Sequence, residues 1–286
     1  MTANEKRLAV AAVPEWFHSF DFGDGVIANG YVSLEAMRHR AGLLPDVRSK
    51  TVLDVNTWDG GVAFECERRG ASRVVAMDQF VWSMDLAEHS RIWREHKARN
   101  ETPPNPPEMP YWRPESLPGR AGFDTAYRML RSKVEAVVGD LATMPGADLA
   151  KLGTFDVVLY LGSLYHMSDP LGALERVRRV TAPNGIAAIE TQAVVVGGHE
   201  DKPLCEVYGP TNPLNHDPTN HWAPNLAGLR ELCLAAGFRD VETVVGPPSF
   251  IGPRRAMLYR MAPSLKRLLP PPQPTSRYRA WVHARR

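Results

Sequence analysis

Leu53-Asp54-Val55-Asn56-Thr57-Trp58-Asp59-Gly60-Gly61, LDVNTWDGG, follows an apolar run and precedes a helical pattern. That is where a nucleotide-binding α/β fold turns from a strand into a helix. Such a turn needs glycine, because the backbone must bend sharply and approach a ligand with no Cβ in the way. Here the glycines come late, at 60 and 61, and Asn56 and Thr57 occupy the first turn. Asparagine tolerates left-handed backbone angles, so the turn can still form. Two phosphates seated on the helix N-terminus would require closer approach than this loop offers. The loop therefore suits a nucleoside better than a dinucleotide.

Outward from the loop, β-branched runs alternate with helical patterns between residues 50 and 190, which is the sequence form of βαβ units. Strands are expected at Thr51–Val55, Arg73–Asp78, Val134–Gly139, Phe155–Leu161 and Gly185–Thr191. Helices should open at Gly60–Gly61 and run over Val81–Ala98, Pro170–Val180 and Leu226–Ala236, the last stopped by Gly237. Two further strands, Val241–Val245 and Ala256–Met261, complete the pattern. The prediction is α/β: a Rossmann-like, seven-stranded, mostly parallel sheet with helices on both faces and the last strand antiparallel.

The length of 286 residues suffices for one large core, and the net charge of +2 gives no reason to expect a polyanionic partner. Three cysteines, Cys66, Cys205 and Cys233, form no disulfide framework, and no segment has 18 uninterrupted apolar residues. A soluble, cytoplasmic protein is expected, with a homo-oligomer left open. Residues 1–45 read as an N-terminal lid or extension, and 46–262 as the main domain. Residues 263–286 read as a C-terminal tail, in which Pro270–Pro274 is a spacer and Arg277, Arg279, Arg285 and Arg286 are solvated. Residues 101–121 are a Pro-rich insertion, with seven prolines between 101 and 118 that exclude regular structure. It is either a surface insertion or, given Tyr111 and Trp112, a lid.

Asp78 ends the second strand 24 residues after Asp54. There an acidic side chain, with Gln79 beside it, can accept from both ribose hydroxyls or simply cap the next helix. Asp140 follows the third strand, where it and Leu141 can hold an adenine amino group or merely make a turn. Together the strand ends outline adenosine at the carboxyl edge of the sheet.

The stretch FDVVLYLGSLYHMSDPLGALERVRRVTAPNGIAAIET, residues 155–191, is more specific. It resembles the class I S-adenosylmethionine (SAM) methyltransferases related to the tRNA wobble-uridine carboxymethyltransferase. LDVNTWDGGVAFECERRGASRVVAMD and NHDPTNHWAPNLAGLRELCLAAGF are similar to further segments of that group. The resemblance spans roughly residues 45–262 and implies SAM as cofactor. It implies that Asp54, Asn56 and Gly60 flank the methionine part, Asp78 the ribose, and Asp140 and Leu141 the adenine. Leu161 and Gly162 would lie beneath the sulfonium. Tyr165 and Arg255 match positions that bind the carboxylate of carboxy-SAM in the tRNA enzyme. The lysine completing that pocket has no counterpart in VPEWFHSFDFGDG, which favours ordinary SAM.

Methyl transfer to oxygen or nitrogen needs a proton acceptor, and His166, next to Tyr165 past a strand end, is the candidate. Its alternative role is to orient a loop. His216, Asp217 and His221 barely reach the ligand number of a metal site, so no metal is expected. Trp222 with Asn225 either shapes an acceptor pocket or packs a helix, and His221 forms part of that wall. Phe17 and His18, after Trp16, either close the pocket or belong to the core. The expected function is SAM-dependent methylation of a small-molecule acceptor, at O or N before C, in specialised metabolism. The near-neutral charge and short N-terminal region argue against nucleic acid. Wobble-uridine modification, an NAD-dependent oxidoreductase and a noncatalytic SAM-binding module stand as alternatives.

Overall fold

The computed structural model describes residues 1–248 and 276–286. Arg255, the expected strand Ala256–Met261 and the Pro270–Pro274 spacer lie outside them. The N-terminal region holds helix α1 (Ala3–Ala11), a short ladder of β1 (Phe20–Asp21) with β2 (Ile27–Ala28), and α2 (Leu34–Leu43). There follow β3 (Thr51–Val55), α3 (Gly61–Arg68), β4 (Arg73–Asp78), α4 (Leu86–Ala98), α5 (Ala121–Leu130), β5 (Glu135–Val138), α6 (Gly146–Leu152), β6 (Phe155–Leu161), α7 (Pro170–Val180) and β7 (Thr181–Val195). The remainder is β8 (Cys205–Val207), β9 (Trp222–Pro224), α8 (Leu226–Ala235), β10 (Asp240–Val245) and β11 (Ser276–Arg285).

Among the described residues the main sheet has seven strands in the order β10-β11-β7-β6-β3-β4-β5. The pairs from β7 through β6, β3 and β4 to β5 are parallel, whereas β11 runs antiparallel to both β7 and β10. The central strands are apolar runs because both faces are covered. One face carries Leu174 and Val177 of α7 with Leu229 and Cys233 of α8. The other carries Phe64 of α3 and Phe123 of α5 with Trp16, Phe20 and Phe22 of the N-terminal segment. Each fully buried aromatic contributes about 1.5–3 kcal/mol relative to exposure.

Two expectations need correction. The helix after β4 begins at Leu86, not Val81. Residues 79–84 turn first, with Ser83 N–H donating to Gln79 O, and the Asp85 side chain then caps α4 by accepting from Glu88 N–H. The chain expected as a solvated tail carries β11. Alternation decides this: Ala280, Val282 and Ala284 are buried, while Arg277, Arg279 and Arg285 approach Glu206, Glu190 and the Asp240–Glu242 pair. The insertion, a surface segment or a lid by sequence, packs against the turn before α4. Tyr111 is buried with Met84 and Leu86, its carbonyl accepts from Asp85 N–H at 2.8 Å, and Arg113 N–H donates to Ser83 O at 2.6 Å.

Candidate functional site

The first turn after β3 is held from several sides. Asn56 takes φ 58° and Trp58 φ 55°. Thr57 Oγ1 donates to Asp54 Oδ2 at 2.6 Å. Burial pushes the Asp54 carboxyl up to about 6, with the Thr57 bond opposing the shift. Gly60 has φ 83°, and a Cβ there would lie 2.6 Å from the Phe64 ring and 2.8 Å from Phe123. A Cβ on Gly61 would lie 2.4 Å from His18 Cγ. The late glycines thus make room for the protein's own aromatic core.

Asp59 explains the close approach of His18. It is buried, and its Oδ2 accepts the backbone N–H of Phe17 at 2.7 Å and of His18 at 2.9 Å, while Oδ1 meets His18 Nδ1. This fastening places the Phe17 ring on Trp58, with centroids 4.3 Å apart and planes 16° from parallel. The N-terminal segment is thereby one wall of the site.

The left-handed turn at Trp58 aims its N–H at Asp78 Oδ2, 2.9 Å away, and Val81 N–H donates to Asp78 Oδ1 at 3.0 Å. Asp78 is fully buried, which drives its carboxyl up to about 7 against the pull of those N–H groups. At the end of β5, Asp140 accepts from Ala142 N–H at 2.9 Å and Thr143 Oγ1 at 3.0 Å in a tight turn.

These strand ends share a cavity of about 1760 Å³ with Leu161, Gly162, Tyr165, His166 and the 214–221 segment. Pocket volumes near 300–1,000 Å³ serve one ligand, so this one has room for two. Its wall also includes His89 and Tyr111. His166 sits in the single 3-10 turn Leu164–His166, its ring 4.0 Å from that of Tyr165. Its Nδ1 lies 2.8 Å from Thr219 Oγ1 and 3.2 Å from Thr219 O. Burial holds its pKa below the ordinary histidine value, against the opposing effect of Asp217. Tyr165 packs under the Arg279 guanidinium at 4.9 Å, and Arg279 is paired through Nε and Nη2 with the buried Glu190.

A family model described as a methyltransferase domain matches residues 29–243. The chain belongs to that family. The methyltransferase is 27% identical over 99 residues to the tRNA U34 carboxymethyltransferase of Campylobacter lari, covering 34% of this chain and 32% of that one. The enzyme of the same name from Sulfurimonas denitrificans is 28% identical over 90 residues, with 32% and 28% covered. The chain thus spans about a third of the length of the curated relatives it matches. The crystallised N-terminal domain of EvdMO1, in the presence of SAH and D-fucose, aligns over 100% of this chain and 97% of that one, with TM-score 0.56 and 16% identity. The Haemonchus contortus phospholethanolamine N-methyltransferase 2, in complex with phosphomonomethylethanolamine and SAH, aligns over 88% and 52%, with TM-score 0.50 and 15% identity. These two share the methyltransferase's fold.

The cavity of the methyltransferase gathers Asp54, Asn56, Asp78, Asp140, Leu161, Gly162, Phe17, His18, Tyr165, His166 and His221. Other candidates lie elsewhere. Leu141 is packed in the core, so Ala142 and Thr143 face the cavity beside Asp140. Gln79 faces a separate, smaller hollow with Val138 and Met144. Gly60 shapes the turn without lining the cavity. Trp222 is buried in β9 and donates to Met167 O at 2.9 Å. Asn225 caps α8, its Oδ1 taken by Gly228 and Leu204 N–H and its Nδ2 by Lys202 O. Arg255 lies outside the described residues, and Arg279 stands over Tyr165 instead. Sequence reasoning missed Arg279, Asp59 and Thr219. Arg279 left a signal in the alternation of SRYRAWVHAR, and Asp59 and Thr219 lie inside LDVNTWDGG and NHDPTNHW without a role being assigned to them.

Proposed function

We propose that this methyltransferase moves the methyl group of SAM to a hydroxyl or amine of a small-molecule acceptor. The observation that carries this reading is the single cavity joining the carboxylates at the strand ends to His166. Its residues fit the cofactor. Asp78 offers a buried acceptor for ribose hydroxyls, and Trp58 Nε1, on the same wall, is buried with no partner among the described residues. Asp140 and Ala142 would hold the adenine edge, and Asn56, Leu161 and Gly162 the methionine part. When bound, SAM supplies a methyl group already activated on a sulfonium. The chain's part is then to orient the acceptor, exclude water and accept a proton. His166, held neutral by burial, is suited to that last task.

Charge supports a small acceptor over a nucleic acid. Seven Asp and Glu residues and four Arg residues line the cavity, and Arg279 among them already faces Glu190. A polyphosphate would meet repulsion there. Calorimetric titration tests the reading: SAM should bind and NADH should not. Loss of proton-acceptor function in His166→Ala should lower kcat with little change in SAM affinity.

Wobble-uridine modification is the second reading, favoured by the Tyr165–Arg279 pair beside Gly162. A carboxylated cofactor needs uncommitted positive charge, and Glu190 occupies two nitrogens of Arg279. SAM should therefore bind at least as tightly as carboxy-SAM. A clear preference for carboxy-SAM in competition would restore the RNA reading.

A further inference from the structure

We infer that Asp217 and Thr219 are positioning residues that hold the His166 imidazole as its Nδ1–H tautomer, leaving Nε2 as the atom that accepts the acceptor's proton. This rests on the proposed role of His166 as proton acceptor. Thr219 has one hydroxyl proton, and Thr219 Oγ1 donates it to Asp217 Oδ1 at 2.7 Å. The same Oγ1, 2.8 Å from His166 Nδ1, must then accept from that nitrogen. The second neighbour of Nδ1, Thr219 O at 3.2 Å, is a carbonyl and can only accept. Both contacts therefore put the proton on Nδ1. A neutral imidazole has one N–H, so Nε2 carries the lone pair.

Asp217 fixes the orientation of Thr219 twice, since its Oδ1 also accepts the Thr219 backbone N–H at 2.9 Å. The segment is anchored on both sides, with His221 N–H donating to Tyr165 O at 3.0 Å and Asn220 Nδ2 donating to Leu214 O at 2.9 Å. His166, Asp217, Thr219 and Asn220 all line the cavity, so the imidazole is part of the wall of the space an acceptor enters. Charged and titratable groups surround it from each packed element: Asp217 and His221 from the 214–221 segment, Arg279 from β11, and Tyr165 from its own turn. Asp217 is the one charge among them that favours the imidazolium, and the Thr219 carbonyl favours it too; Arg279 and His221 oppose it.

In the reaction, the acceptor's oxygen or nitrogen bonds the methyl carbon as the carbon–sulfur bond breaks and its electron pair remains on sulfur. The acceptor's proton passes to Nε2. The imidazolium keeps its Nδ1–H on Thr219, whose hydroxyl connects it to the Asp217 carboxylate, and then releases the Nε2 proton to solvent. Thr219 donates and accepts throughout and is not consumed.

The test uses the full chain without ligand. Side-chain ¹⁵N–¹H correlation spectra, with His166 assigned by its absence in His166→Gln, report which nitrogen is protonated. Wild type and Thr219→Ser should show Nδ1–H and a bare Nε2, whereas Thr219→Val should show a mixture. Asp217→Asn should move the His166 titration to lower pH, because it removes the one charge that favours the imidazolium. Calorimetry should find SAM affinity unchanged in all of these variants. A merely structural tether for the 214–221 segment would leave the His166 tautomer of Thr219→Val as in wild type, and that result overturns the inference. An Nε2–H tautomer in a wild-type protein that binds SAM overturns it as well. A wild-type protein that binds no SAM overturns the proposed function itself, whatever the tautomer.

Discussion

Asp59 and His18 lie 41 residues apart in the chain and side by side in the core, with Asp59 Oδ1 and His18 Nδ1 2.5 Å apart. The same carboxylate accepts two backbone N–H groups, so removing it strands several buried donors at once. Each unsatisfied donor costs about 1–3 kcal/mol. Asp59→Ala should lower the free energy of unfolding by about 3 kcal/mol in a denaturant titration, and it should free the N-terminal segment for proteolysis. Gly61→Ala separates packing from propensity. Helix propensity alone would favour alanine by about 1 kcal/mol. The 2.4 Å approach to His18 Cγ predicts a net loss of about 2 kcal/mol instead.

Asp78 sets a pH dependence. Its folded value of about 7 lies above the ordinary 3.8, so the free protein holds that proton where the unfolded chain has released it. Its contribution to stability is therefore present at low pH and is lost as pH rises through about 7. Ribose hydroxyls donate best to the ionised carboxylate, so SAM binding should run the other way and strengthen by about tenfold from pH 6 to pH 8. Calorimetry across that range checks it. Asp78→Ala should weaken SAM by about 1.5–3 kcal/mol and flatten the profile, and Asp78→Asn should be milder.

Arg279 and Glu190 test whether the basic C-terminal strand is structural. Glu190 is 2% exposed and Arg279 37%. Losing the partner of a fully buried charge costs about 3–5 kcal/mol, and the partial exposure of the Arg279 side chain lowers that here. Arg279→Met should cost about 2 kcal/mol in thermal or chemical unfolding, and the double variant with Glu190→Gln should recover part of it. Additive losses would show that the two side chains are not coupled.

Tyr111 pins the Pro-rich insertion. It is 2% exposed and packs edge-on against His89 at 5.3 Å between centroids. Tyr111→Ala should cost about 3 kcal/mol of local stability. Trypsin should then cut at Arg99 or Arg120 faster than in wild type. In wild type, SAM together with an acceptor should slow those cuts further, because the insertion walls the cavity.

Periodicity made the parallel strands legible: short apolar runs such as TVLDV and FDVVLYL are buried on both faces, and a local pattern suffices to specify them. Asp54, Asp78 and Asp140 could be placed for the same reason, since a residue ending a parallel strand points toward the shared edge of the sheet. What the sequence by itself determined was thus the order of elements and the residue types at their ends. The tertiary structure decided what depends on segments far apart in the chain. Gly61 reads as a ligand-approach glycine until His18 occupies the space beside it. Arg279 reads as solvated until β11 inserts between β7 and β10 and brings it to Glu190, 89 residues earlier. Thr219 lies in NHDPTNHW, which assigns it no partner, and only the folding of the 214–221 segment against Leu164–His166 puts its hydroxyl on the imidazole, 53 residues away. Local sequence encodes backbone pattern; proximity between distant side chains is a property of the packed chain alone.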